Sequence, residues 1–265
     1  MGHTRLGTLP KTRKWRDVIA FFATQAEVSI IAAATVKAAE DSLQLIKNDL
    51  GFTEAAWLMT QLTVAGTQDN PLEYLQNQGI QVKEQSLLGL ITAVGDALDA
   101  KVHEHKAIST QAEIAGNALT SALTKVLKPR MQQQDLFDTG QSEAESALKK
   151  LGTAKTFDHL SREFFSDMTN QSLGFFISKE SAAHIGEGRC FATANQEQQF
   201  TDAVTQHTRE CSKITEGYGE NWIGKHHFQQ KDGGVTQETV HGFAAFGMDK
   251  MMGELKRGGD VDNAG

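Results

Sequence analysis

The side chains best suited to chemistry in this sequence collect between residues 190 and 227. His207 and Cys211 stand four apart, and on a helix that spacing puts both on one face, where imidazole and thiolate can share a zinc ion or a proton. Sixteen residues separate Cys190 from His207, and His226 and His227 follow downstream. These histidines complete a tetrahedral set only if the flanking loops fold back. The spacing matches no zinc module, and no second cysteine stands close to either thiol. The stripe around the pair, Phe200, Val204, His207, Cys211, Ile214 and Tyr218, is the one an amphipathic helix buries. A packed histidine beside a packed cysteine is therefore the preferred reading. Zinc on His207, Cys211, His226 and His227, or a Cys–His nucleophile, stands as its alternative.

Past this helix, Tyr218-Gly-Glu-Asn-Trp-Ile-Gly-Lys-His-His sets glycines among large aromatics. Such a loop suits a ligand or a partner, and equally a connection pinned by Trp222. His103 and His105 look like a metal pair, but two residues on a helix point about 200° apart and cannot share an ion; His105 is expected on the apolar stripe and His103 in solvent. The sequence contains no P-loop, G-x-G-x-x-G, G-x-S-x-G, H-E-x-x-H or EF-hand pattern. No cofactor is called for, and catalysis is not the leading expectation.

Charge is unevenly placed. Residues 1 to 16 hold five of the 26 Lys and Arg (Arg5, Lys11, Arg13, Lys14, Arg16) and none of the 33 acids, so the total of −7 leaves −12 on the rest. With Trp15 among them, these cations suit phosphate contact and base stacking. They suit an acidic surface of another subunit as well, and the acidic body disfavours strong independent binding to nucleic acid. The expected partner-binding residues are Arg5, Lys11, Arg13, Lys14, Trp15, Arg16 and Trp222, and the expected partners are protein subunits in a homo- or hetero-oligomer. Membrane insertion is not expected: the longest uncharged apolar stretch, Val28 to Val36, falls short of the about 20 residues a span needs. Two cysteines and no convincing signal peptide point to the cytoplasm.

The elements that must position these groups read as helices. Only three prolines occur, and apolar residues recur at intervals of three and four almost throughout. A first helix is expected over 16–47, apolar around much of its circumference and central in the bundle. Gly51 is expected to end it, with Thr53 capping the next helix, and Asn70-Pro71 to open a short one. Two long striped helices follow, the second stopped by Pro129. Ser142-x-x-Glu145 is a capping box, a Phe-rich helix comes next, Asn195 opens the His207 helix, and a final helix covers Thr236 to Arg257. The fold class is all-α: a helical bundle in one unit or in two lobes, with a basic arm (1–15), an N-terminal helical region (16–128), a linker (129–141), a C-terminal helical region (142–257) and a disordered tail (258–265).

Arg13-Lys14-Trp15, Phe164-Phe165, the run Phe175 to Glu180, Cys211 and Gly219-Glu-Asn-Trp222 together resemble uncharacterised helical proteins of bacterial mobile and anti-phage defence loci. The resemblance covers most of the chain and carries over no catalytic residue. The expected function is a non-catalytic interaction or assembly subunit of a bacterial multi-protein system. A metal-dependent or Cys/His enzyme, and a nucleic-acid-contacting protein acting through the arm, are its alternatives.

Overall fold

Periodic apolar spacing becomes helix wherever the computed structural model describes the chain, namely residues 16, 18, 20, 22, 24, 28–132, 141–181, 184–230 and 234–261. Arg16 is helical and exposed; the rest of the basic arm, including Arg5, Lys11, Arg13, Lys14 and Trp15, lies outside the described residues, as does most of the expected linker. In order the helices are α1 Val28–Ala38, α2 Glu40–Ile46, α3 Leu50–Gly66, α4 Pro71–Asn77, α5 Leu87–Glu104 and α6 Thr110–Gln132. They continue with α7 Glu143–Leu151, α8 Ala154–Ser181, α9 Ala194–Cys211, α10 Tyr218–Ile223 and α11 Gln237–Val261. The described residues contain no strand beyond an isolated bridge between Ile185 and Phe191. No helix among them is long and apolar enough to cross a membrane. The protein is an all-α bundle.

Local signals placed several ends correctly. Ser142 Oγ accepts from Glu145 N at 3.2 Å while Glu145 Oε2 accepts from Ser142 N at 3.1 Å, the reciprocal capping box. Elsewhere packing overrode them. The expected first helix breaks at Ala39, and the short α2 that follows is linked to α11 by ion pairs at its two ends, Lys47–Asp249 at 2.9 Å and Lys256–Glu40. Gly51 sits inside α3 rather than ending a helix, because its backbone presses against Ala112 of α6 where a Cβ would collide. Asp49, not Thr53, caps α3, accepting from Phe52 N at 3.2 Å; its other oxygen takes the Ser109 hydroxyl at 2.7 Å. Ser109 Oγ in turn caps α6 through Ala112 N, so one carboxylate ties two helix starts together. Pro129 does not stop α6, which runs to Gln132. Side chains meet its last carbonyls: Arg130 donates to Val126 O at 2.7 Å and Lys150 to Arg130 O at 2.8 Å. Thr193, not Asn195, caps α9, and α11 continues through Val261, past the expected end at Arg257 and into the expected tail.

The most enclosed helix is α3, with 13 of its 17 residues buried, rather than the first helix. Around it pack α4, α5, α6, α7, α8 and α11, while α1 lies against α11 and α9 against α8. One apolar cluster is continuous from α1 to α11 and draws on residues both before and after 129–141. Its densest part is aromatic: Phe164 stacks on Phe52 at 5.8 Å, and Phe165 and Phe157 meet Phe243 at 5.6 and 5.4 Å.

Candidate functional site

Along α3, Glu54, Trp57, Gln61 and Val64 follow one another at intervals of three and four on one face of the helix, Glu54 and Trp57 half-buried and Gln61 and Val64 buried. Two clefts open beside that row, each of about 430 Å³, with Trp57 lining both. The first is formed by α3, Asn48 and the start of α11, and holds Glu54, Glu238 and His241. Burial raises the Glu54 carboxyl above its ordinary value, against the pull of Lys101 and His105. His241 donates from Nε2 to Lys47 O at 2.8 Å. The second cleft lies between α3, α4 and the chain after α10, and holds Gln61, Tyr74, Gln78, His226 and His227.

The segment expected as a Gly-rich loop is helical, and Asp158 of α8 is the reason. Its Oδ2 accepts from Gly217 N at 3.0 Å, and its Oδ1 accepts from Gly219 N at 2.9 Å and Glu220 N at 3.2 Å. A carboxylate thus meets the open N–H groups that start α10. Gly217 permits the approach with φ 74°, a left-handed conformation. After Ile223 the chain makes a π turn, Gly224–Phe228, that presents His226 and His227. Trp222 is half-buried, 4.6 Å from Phe243, 4.9 Å from His226 and 5.8 Å from Phe157 between ring centres. It pins the connection by stacking.

His226 donates from Nδ1 to Gly234 O at 3.2 Å. His227 Nε2 lies 3.1 Å from Thr67 Oγ1. The Thr67 hydroxyl proton is already given to Val64 O at 2.7 Å, so Nε2 of His227 is the donor and its Nδ1 keeps the lone pair. Burial lowers the His227 pKa; burial and then the nearby Arg130 lower that of His159. A histidine whose folded pKa is depressed binds fewer protons than in the unfolded chain, so stability is greatest above the ordinary value of about 6.5 and falls on acidification. Urea midpoints compared at about pH 7.5 and about pH 5.5 should show that fall, and His227→Gln should make it shallower. An identical loss in the variant would remove His227 as a contributor.

His207 and Cys211 do come together, with Nε2 3.7 Å from Sγ on α9. Burial, and after it Glu254 and Glu210, push the Cys211 thiol up to about 11. A nucleophilic thiol needs the opposite shift. Cys190 is likewise outside any disulfide, half-buried, and its thiol is also raised by burial. His226 and His227 face the second cleft and take their partners there, so the four expected metal ligands divide into two pairs. Among the described residues no group of three or more His, Cys, Asp or Glu is placed to hold a metal ion. His103 is exposed as expected, but so is His105: α5 ends at Glu104 and leaves His105 beyond the stripe.

Sequence reading missed Asp158, Gln61 and Tyr74. The signal for Gln61 was available, a lone amide in the apolar run Trp57 to Ala65; Asp158 gave none. No protein-family model, curated protein or solved structure matches the chain.

Proposed function

We propose that the chain is a non-catalytic helical interaction and assembly subunit of a bacterial multi-protein system, in a setting of the anti-phage defence kind that its sequence resemblance suggests. The observation that carries this reading is the use made of the groups best suited to chemistry. The Cys211 thiol is held protonated beside His207, and Trp222 is taken up in an aromatic stack. What the surface offers instead is recognition: two clefts sharing Trp57, the exposed Arg16 next to the basic arm, and the exposed apolar side chains Phe228, Phe246, Leu45 and Leu88.

Deleting residues 2–14 should abolish or weaken assembly, read as molar mass by light scattering and as co-purification with the co-expressed products of neighbouring genes. Helix content by circular dichroism should stay unchanged. Full assembly by the deleted chain would overturn the arm's role. Gel shifts with DNA and RNA at two salt concentrations form the second arm, because phosphate contacts must weaken as salt rises. A salt-sensitive shift lost on deletion would replace the protein partner with nucleic acid.

A further inference from the structure

The cleft beside α4 contains hydrogen-bonding groups that the fold leaves unused. Gln61 is only 3% exposed, yet it lines this cleft. Its carbonyl oxygen accepts the Tyr74 hydroxyl at 2.6 Å. Its two N–H donors meet no acceptor among the described residues. Burying an amide without satisfying its donors is unfavourable, and a core helix does not need one here: the neighbouring positions are Thr60 and Leu62, both fully enclosed. His226 is nine-tenths buried and lines the same cleft. Its Nδ1 donates to Gly234 O, which leaves Nε2 as the other polar atom of the ring, with no hydrogen-bond partner among the described residues.

The cleft is therefore lined by the amide of Gln61, the imidazole of His226 and the aromatic rings of Trp57 and Tyr74. Among the described residues no Lys, Arg, Asp or Glu lines it, so a charged ligand would lose hydration without a described counter-charge to replace it. Its volume of about 430 Å³ lies toward the small end of ligand sites, which run from about 300 to 1,000 Å³. Mixed donors and acceptors beside flat apolar walls match the edge and face of a heteroaromatic ring. We propose that this cleft binds a small uncharged heteroaromatic ligand, a nucleobase or its nucleoside, with its hydrogen-bonding edge on Gln61 and His226 and its face against Trp57. This cleft is one of the two recognition surfaces named above, but ligand binding in it requires no partner subunit.

The full chain should be titrated by calorimetry with adenosine, guanosine, cytidine and uridine, with the free bases, and with adenosine 5′-monophosphate and glucose for comparison. At least one base or nucleoside should bind, a 5′-monophosphate about tenfold or more weaker than its nucleoside, and Gln61→Leu should weaken binding about tenfold or more. Because Gln61→Leu also removes the acceptor of Tyr74, the wild-type protein labelled with 15N at glutamine side chains gives a reading free of folding effects. One amide pair, assigned to Gln61, should shift with saturation. No binding by any base or nucleoside at about 1 mM would overturn the proposal. So would preference for glucose, monophosphate binding as tight as the nucleoside, or saturation that leaves the Gln61 amide unmoved.

Discussion

Gly66→Ala lowers the stability of this protein by about 3 kcal/mol, the upper part of the range for added volume in a packed interior. Gly66 ends α3 and Gly152 caps the end of α7, and there the two backbones cross without side chains between them. A Cβ at Gly66 would run into Leu148 O and lie 2.6 Å from Gly152 N. Both obstacles are backbone, so no rotamer change relieves them; either α7 moves or α3 does. Moving α7 pulls Leu148 and Leu151 from sites where neither is exposed. Moving α3 disturbs the row that carries Trp57 and Gln61. At about 2–4 °C per kcal/mol for a chain of this size class, the melting temperature should fall by about 6–12 °C. Denaturant unfolding gives the same quantity through its midpoint at unchanged slope. A loss below about 1 kcal/mol would mean that the crossing is looser than the backbone contacts imply.

That crossing shows where sequence reading succeeds and where it stops. Stripes at intervals of three and four revealed α5, α6, α8, α9 and α11, because those helices bury one face and the burial writes the period into the chain. Ser142 and Glu145 revealed a helix start because both partners of the box lie within four residues. Gly51 was misread for the complementary reason. A glycine that ends a helix and one that lets another helix approach look alike until Ala112, 61 positions away, is seen against it. The same limit separates the two parts of the chemical reading. His207 and Cys211 were legible as a pair because a spacing of four is local. The cleft was not, since Gln61, Tyr74 and His226 are 13 and 152 positions apart and meet only once α4 and the π turn have docked on α3. A run with four large aromatic or imidazole groups between Tyr218 and His227 read as a loop because its helix-starting carboxylate is Asp158, some 60 residues earlier.

Asp158→Ala tests that last dependence and carries the second large effect. Three backbone N–H groups, of Gly217, Gly219 and Glu220, lose one carboxylate. A hydrogen bond to a charged group contributes about 1.5–3 kcal/mol and a helix N-cap about 0.5–2. The three bonds share one acceptor and are not additive, so the expected loss is about 3 kcal/mol. Water cannot fully replace the carboxylate, because Gly219 packs so closely on α8 that an added Cβ would lie 2.8 Å from Asp158 Cα. Asp158→Asn separates acceptor from charge. Its carbonyl can still serve Gly219 and Glu220, but its NH₂ then faces the N–H of Gly217, so it should fall between wild type and alanine. The consequence reaches the cleft, since α10 holds Trp222 on Phe157 and Phe243, and Trp222 in turn backs the ring of His226. In Asp158→Ala the fluorescence of Trp222, measured with Trp15 and Trp57 replaced by Phe, should shift to the red as the stack opens to water. An alanine variant within about 0.5 kcal/mol of wild type, with unshifted emission, would show that α10 starts without Asp158.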